Sequence, residues 1–449
     1  MSFTLHPLAV RRLILPVHEL LLGRSTLAYL RRLDESQWWS AERLRALQEE
    51  KLRRLLAHAF QVSSFYRRRM DEAGVDPQCV TVDQLGRLPP TTKDDIRDHL
   101  DEMIDRGIGG GLHASTTGGS TGSPLRFYLC RSRQASDQAA RARTRRWFGI
   151  EPGERELYLW GSPLERTGQD RAKAARDRLT NHRLLDAFDM TSARMAQYID
   201  EIAAFDPVHI FGYPSSLARL FRFARECGKQ VSAPSLRAVF VTGEVFSRED
   251  RAIIEEATPV PVADGYGSRE GGFVAHQCPV GSYHVTMESH IVELLDAEGR
   301  SVGNREAGEI VLTHLDALGH PFIRYRTGDM ARRIDEACPC GRGLGLISGI
   351  EGRRTDMLRT TRGGLAHGLS VIYVLRESPC VREFQVVQQA SLDLDVLIVA
   401  RSEVPAAEIR RISNQLRQRI GESIDVRIEI VDRIAPDPSG KHRHVIGIR

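Results

Sequence analysis

The sequence predicts an α/β protein in which a large N-terminal domain of several parts precedes a small α+β C-terminal domain. Three observations carry this. The chain has 449 residues, more than one hydrophobic core usually supports, so two or more domains are expected. Between about 156 and 257, strand-like and helical segments alternate, the pattern of a sheet covered by helices. Beyond about 353 a compact strand–helix–strand run replaces that alternation.

The elements follow in order. Residues 8 to 70 read as helical, and AERLRALQEEKLRRLLAHAFQV (41 to 62) has the clearest 3.6-residue period, with Ser40 as N-cap. Pro89 and Pro90 break the next segment, and TTKDDIRDHL starts a helix capped by Thr92. HASTTGGSTGSP begins at 113 as a small, flexible stretch, followed by the strand-like LRFYL. A basic helix at about 132 to 147 carries Arg141, Arg143, Arg145 and Arg146, which read as a solvated face. ELYLW, VHIFGY and LRAVFVTG read as strands, and SLARLFRFARECG and REDRAIIEEA as the helices between them. From about 281 to 350 short strands joined by turns suggest a β-rich subdomain. The expected domains are 1 to 352, with a helical segment over about 1 to 110, and 353 to 449.

Composition narrows the function. The 63 basic and 59 acidic residues leave a formal charge of +4, so a dedicated nucleic-acid binder has no support and no nucleic-acid partner is expected. Only Lys51, Lys93, Lys173, Lys229 and Lys441 are lysines; the other basic residues are arginine. No run of 18 apolar residues exists to span a bilayer. Arg11, Arg12, His18 and Glu19 interrupt the apolar start, which reads as an amphipathic helix with a weak prospect of peripheral membrane contact rather than a signal peptide. Seven cysteines, two of them in Cys338-Pro-Cys340, fit a reducing, cytoplasmic setting and a metal site better than a disulfide scaffold.

Four segments carry candidate chemistry. Thr116-Thr117-Gly118-Gly119-Ser120-Thr121-Gly122-Ser123-Pro124 mixes glycines with hydroxyls. Such a loop turns backbone N–H groups and side-chain donors toward an anion, as a triphosphate requires, though no Gly-Lys-Ser/Thr ends it. Tyr266-Gly267-Ser268-Arg269-Glu270 offers an aromatic face for a base and a carboxylate for Mg²⁺. Tyr325-Arg326-Thr327-Gly328-Asp329 ends a strand with a carboxylate suited to a ribose diol, and Gly352-Arg353-Arg354-Thr355-Asp356 lies at the domain boundary.

Taken in this order, the segments resemble the adenylate-forming (AMP-forming) acid ligase superfamily, in particular the phenylacetate–coenzyme A ligase group and its CapK-like relatives. The resemblance covers nearly the whole chain. It implies a large ATP-binding N-terminal domain and a mobile C-terminal lid. It also implies that Thr116 to Gly122 form the phosphate loop, with Thr117 among the catalytic residues, and that Gly243, Glu244 and Tyr266 to Ser268 hold adenine. Glu270 would hold Mg²⁺, Asp329 the ribose and Arg353 the nucleotide. Asp356 would be the hinge and Lys441, in SGKHR, the catalytic lysine. Ser123 stands where many such ligases carry lysine, which removes one phosphate contact and leaves the backbone cradle.

The resemblance further implies activation of a carboxylic acid to an acyl adenylate, then transfer to coenzyme A. The alternative is a CapK-like enzyme that passes the acyl group to an amine or adenylylates a cofactor. A third class, a non-catalytic ATP binder, is disfavoured by Glu270, Asp329 and Lys441. HIFGYPSS (209 to 216) and AVFVTGE (238 to 244) are candidates for the acyl pocket, and a homodimer is one assembly considered. Cys278, His284, Cys338 and Cys340 make a Cys₃His set suited to structural Zn²⁺, with His276 a competing fourth ligand.

Overall fold

The structure is a computed structural model. It describes residues 4–117, 125–161, 176–187, 189–353, 357–361, 365–367, 371–372, 374–375, 378–435 and 444–447. Two units are present. The first takes Met1–Thr117, Ser123–Thr327 and Ala331–Gly349; the second includes Gly328–Met330 and the chain from Ile350.

In the first unit, short strands β1 (His113–Thr116) and β2 (Arg126–Leu129) form an antiparallel pair. The main sheet begins with β3 (Glu156–Trp160), β4 (His182–Asp186), β5 (His209–Gly212), β6 (Ala238–Thr242) and β7 (Val262–Ser268), all parallel, in the order β4-β3-β5-β6-β7. β5 is buried along its whole length and β6 in all but its last residue, as expected for parallel strands covered on both faces. Helices Ser192–Phe205, Pro214–Glu226 and Arg248–Ala257 are the crossovers. Their Tyr198, Ile202, Leu217, Phe221 and Ile254 pack with Leu159, Ile210 and Val241 of the sheet.

At Gly272 the pairing turns antiparallel. β8 (Gly272–Gln277), β9 (Tyr283–Val285), β10 (His290–Leu295), β11 (Ala307–His314), β12 (Tyr325–Ile334) and β13 (Leu346–Ile347) continue the same hydrogen-bonded sheet, in the order β7-β8-β9-β13-β12-β11-β10. The β-rich part expected from about 281 is therefore an extension of the main sheet, and its antiparallel pairing starts earlier.

The N-terminal residues are helical in several pieces, with Gly23 in the left-handed region ending Leu15–Leu22. Ser40 caps Ala41–Val62 by accepting from the Arg43 N–H, and Thr92 with Asp95 forms a capping box on Lys93–Met103. The basic helix Arg131–Arg146 corrects the expectation of a solvated face. Arg143 is fully buried and pairs with Glu288 at 2.7 Å; Arg145 pairs with Glu156 at 2.9 Å and Arg146 with Glu151 at 2.8 Å. Carboxylates from outside the helix meet these charges, which a periodicity reading cannot see. No helix among the described residues is long and apolar enough to cross a membrane.

In the second unit, β14 (Gly352–Arg353) pairs antiparallel with the Asp329–Met330 stretch of β12. β15 (Met357–Arg359) and β16 (Leu365–His367) form a short ladder. A four-stranded sheet combines β17 (Val381–Gln388), β18 (Leu394–Ala400), β19 (Val426–Ile430) and β20 (Val445–Ile446) in the order β19-β18-β17-β20. Helix Ala406–Ile420 links β18 to its parallel neighbour β19, and its Ile412, Leu416 and Ile420 pack with Phe384, Val396 and Ile398.

Candidate functional site

Parallel strands in an α/β sheet leave their side chains and following loops free for binding at the C-terminal edge. In this chain that edge carries Trp160 at the end of β3, Tyr213 after β5, Gly243 and Glu244 after β6, and Ser268 at the end of β7 with Arg269 and Glu270 following. Tyr213 stacks on Trp160, with ring centroids 4.0 Å apart and an interplanar angle of 15°. Gly243 has φ +83°, and a Cβ there would lie 3.1 Å from the Tyr213 ring, so backbone conformation and the aromatic pair both require glycine. The Ser215 N–H donates to Glu244 Oε2 at 3.3 Å.

The stem of the predicted phosphate loop joins this edge. Thr117 closes it: its N–H donates to Leu125 O at 3.0 Å, and its Oγ1 accepts from the Leu125 N–H at 2.9 Å. Arg269 Nη1 donates to Thr116 O at 3.2 Å, tying the stem to the segment that bears Glu270. Glu270 is buried, and Tyr325 donates to its Oε1 at 3.2 Å. Tyr266 is also buried, opposite Ala275 in the β7–β8 pairing. Thr116, Thr117, Tyr266, Gly267, Ser268 and Glu270 thus belong to one locality of the first unit.

In the second unit Asp329 and Arg353 are directly opposed across the β12–β14 pairing. This pairs two residues from separate motifs, each singled out for nucleotide binding. Gly118, Gly119, Ser120, Thr121, Gly122, Asp356 and Lys441 lie outside the described residues.

A separate cluster gathers Cys278, His284, Cys338 and Cys340, with one ligand atom from each within 4.8 Å of the others. Cys278 Sγ and Cys338 Sγ are 3.8 Å apart, and Cys340 Sγ is 3.2 Å from His284 Nε2. Both cysteine segments run Cys-Pro-x-Gly and turn alike. Gly281 N–H donates to Cys278 O at 2.8 Å, and Gly341 N–H donates to Cys338 O at 3.1 Å. His284 Nδ1 lies 3.3 Å from Leu344 O and donates to it, which leaves the Nε2 lone pair facing the thiols. Burial pushes the Cys278 thiol up to about 11 and His284 down to about 4. Burial also opposes ionisation of Cys340, but hydrogen bonds from Arg342 outweigh it and lower the thiol. A neutral imidazole with three close thiols is a donor set that fits Zn²⁺. His276 is not in the cluster; its Nδ1 lies 2.7 Å from Gln277 O. The two histidines are opposed across the β8–β9 pairing and share a face of the sheet, and only His284 lies beside the thiols.

Sequence reasoning missed Trp160 and the buried side chains behind Glu270. Trp160 ends a strand without any motif around it. The others come from separate parts of the chain, and only the Arg133–Asp137 spacing of four on one helix hinted at a shared face.

Comparison with known proteins agrees with this geometry. Residues 184–315 match the AMP-binding enzyme family and residues 358–447 match the CapK C-terminal domain. A phenylacetate–coenzyme A ligase of Thermus thermophilus is 29% identical over 446 residues, covering 91% of this chain and 97% of that protein. Protein CapK of Staphylococcus aureus is 24% identical, covering 89% of this chain and 88% of its own. A crystal structure of 2-hydroxyisobutyryl-CoA ligase in the postadenylation state superposes with a TM-score of 0.70 at 23% identity, covering 92% of this chain and 91% of that one; it shares the fold. These matches and relatives support an adenylate-forming ligase. Within that class they point to the group of phenylacetate–coenzyme A ligases and CapK-like proteins.

Proposed function

We propose that this protein activates a carboxylic acid with ATP and transfers the acyl group to coenzyme A. The observation that carries the reading is the meeting of the Thr116–Thr117 stem with the Ser268–Glu270 turn at the C-terminal edge of the parallel strands, through Arg269 and Thr116 O. In the first half-reaction a carboxylate oxygen of the acid attacks the α-phosphorus, the bond to the β-phosphate oxygen breaks, and pyrophosphate leaves. In the second, the coenzyme A sulfur attacks the acyl carbon, the acyl–phosphate oxygen bond breaks, and AMP leaves while the thiol proton passes to solvent.

The residues divide this work. Thr116, Thr117 and the 118 to 122 stretch bind the phosphates, and Gly243, Glu244 and Tyr266 to Ser268 hold the adenine. Asp329 accepts hydrogen bonds from the ribose hydroxyls, with Arg353 opposite it. Glu270, a buried carboxylate steadied by Tyr325, offers hard oxygen for Mg²⁺, which when bound neutralises phosphate charge. Lys441 stabilises the charge that builds on the α-phosphoryl oxygens, and a turn about Asp356 then withdraws it. The stacked Trp160 and Tyr213 form an apolar wall suited to the acyl or aryl group of the acid. Residues 1 to 352 act as the AMP-binding domain and 353 to 449 as the lid. Cys278, His284, Cys338 and Cys340 hold a structural Zn²⁺ that ties the β8–β9 turn to the segment before β13. None of the seven cysteines is in a disulfide, which supports a cytoplasmic setting.

A second reading rests on the match of 358–447 to the CapK C-terminal domain. On it, the same adenylate passes to an amine, or a cofactor is adenylylated, without coenzyme A.

Pyrophosphate release across a panel of carboxylic acids, with and without coenzyme A, tests both. Acid-dependent release followed by thioester formation supports the ligase; release indifferent to coenzyme A favours the second reading. Absence of release with every acid overturns acid activation. Lys441→Ala should lower adenylate formation about a hundred- to a thousandfold without unfolding the protein. Unchanged release would remove Lys441 from the chemistry.

A further inference from the structure

Behind Glu270 lies a set of polar side chains that the chemistry above does not use: the buried Arg133 and half-buried Asp137 of helix Arg131–Arg146, and the buried His290 of β10 and His314 of β11. Asp137, His290 and His314 place ligand-type atoms within 4.8 Å of one another, and a metal site is the first idea such a trio suggests. The hydrogen bonds argue otherwise. His290 Nε2 is 2.9 Å from Gly271 O, which can only accept, so that nitrogen carries the proton; its Nδ1 then accepts from Ser289 Oγ at 2.9 Å. His314 Nδ1 accepts from the Asp316 N–H at 3.3 Å, so its Nε2 is the protonated nitrogen and donates to Asp137 Oδ1, also at 3.3 Å. Neither imidazole keeps a lone pair for a cation.

All of these bonds converge on one turn, Arg269 to Phe273. Arg133 Nη2 donates to Arg269 O at 3.1 Å and to Glu270 O at 2.6 Å. His290 takes the next carbonyl, Gly271 O. Asp137 Oδ1 accepts the Phe273 N–H at 2.9 Å, and Ser268 Oγ accepts the Gly271 N–H at 2.8 Å. Gly272, at φ +84°, lets the turn close on this carboxylate: a Cβ there would lie 2.6 Å from Asp137 Oδ1. Three consecutive carbonyls and the Phe273 amide are therefore held by side chains from helix Arg131–Arg146 and β10, with His314 of β11 behind Asp137, while Ser268 holds the Gly271 amide from beside the turn. Desolvating an arginine, an aspartate and two histidines is costly, and nothing in the packing alone asks for it.

We propose that Arg133, Asp137, His290 and His314 are positioning residues for adenylate formation: together they clamp the Arg269–Phe273 turn and so fix where the Glu270 carboxylate sits. The proposal rests on the reading that Glu270 holds Mg²⁺ against the phosphates. Its mechanism is that of outer-shell groups around a metal ligand, whose loss costs metal affinity and rate while substrate binding survives.

The experiment compares wild type with Asp137→Ala, Asp137→Asn, His290→Ala and, as a control, Arg143→Met. Arg143 lies six residues further along the same helix in a buried pair with Glu288 that does not touch the turn. With an acid that supports pyrophosphate release, Asp137→Ala and His290→Ala should raise the Mg²⁺ concentration for half-maximal rate and lower kcat, each about 10- to 100-fold. KM for the acid should stay within about threefold. Asp137→Asn, whose side-chain oxygen can still accept the Phe273 N–H, should recover most of the loss. Hydrogen exchange over 268 to 275 should accelerate about tenfold or more in both alanine variants and not in Arg143→Met.

The exchange measurement needs no turnover. If wild type releases no pyrophosphate with any acid, the functional reading fails and the clamp is still judged. Folded alanine variants with wild-type exchange, or with wild-type kcat and Mg²⁺ dependence, overturn the proposal. So does an equal kinetic loss in Arg143→Met. Failure of both alanine variants to fold also overturns it, because groups that serve one turn are not required for the whole fold.

Discussion

Two clusters in the first unit hold metal-competent side chains, and they differ in hydrogen-bond balance as well as in composition. At Cys278, His284, Cys338 and Cys340 the imidazole spends its proton on Leu344 O and turns a bare nitrogen toward three thiols. At Asp137, His290 and His314 every ring nitrogen has a partner of the correct polarity. The first is a set of donors awaiting a cation; the second is a closed network that grips a backbone turn. Both bring ligand-type atoms within 4.8 Å of one another, so the accounting of lone pairs and protons is what separates a ligand set from a strut.

Removing thiols from the first cluster should give the largest effect. The freshly purified protein should carry about one equivalent of zinc, and replacing Cys338 and Cys340 together with serine should abolish it. The same change should lower Tm by more than about 5 °C, because metal-binding energy is folding energy. Asp137→Ala should retain its zinc. Zinc-free wild type, or zinc lost with Asp137, would break the distinction.

Acid should weaken both clusters in the same pH window. Burial pushes His284 down to about 4 and His290 down to about 3, so each is neutral in the folded protein at neutral pH. In the unfolded chain both protonate near pH 6.5. The unfolded state therefore binds more protons below that value, and stability should fall as pH drops from about 6.5 toward 4. Each histidine contributes a slope of about 1.4 kcal/mol per pH unit. Denaturant unfolding across this range should show the slope, and His290→Gln should flatten it by one histidine's share. An unchanged slope in that variant would mean that His290 is not buried as a neutral ring.

Gly272→Ala should cost about 2 kcal/mol, from the left-handed backbone and the contact with Asp137. It should raise the Mg²⁺ requirement without changing zinc content, which chemical denaturation and metal analysis would check together. Cys79→Ser marks the lower bound: this thiol is exposed and outside both clusters, so stability should move by less than about 0.5 kcal/mol.

Much of the fold was legible because its signals are local. The alternating strands and helices between 156 and 257, the caps at Ser40 and Thr92, and the strand–helix–strand end all lie in short windows. The Cys₃His set was legible as a pair of short motifs. The buried arginines of helix Arg131–Arg146 were not, because the identical period serves a solvated or a buried charged face until Glu288, Glu156 and Glu151 are located. The β-rich stretch was read as separate because a strand pattern does not say which sheet a strand will join.

By itself, then, the sequence determined the α/β class, the order of the nucleotide motifs and the identity of the three thiols, since each is written in neighbouring residues. The tertiary structure alone decided that His284 rather than His276 completes the thiol cluster, that Asp329 faces Arg353, and that four distant side chains hold the turn beside Glu270. Those outcomes depend on strand register and on contacts between segments 19 to 137 residues apart, where a shift of one residue would turn a side chain to the opposite face.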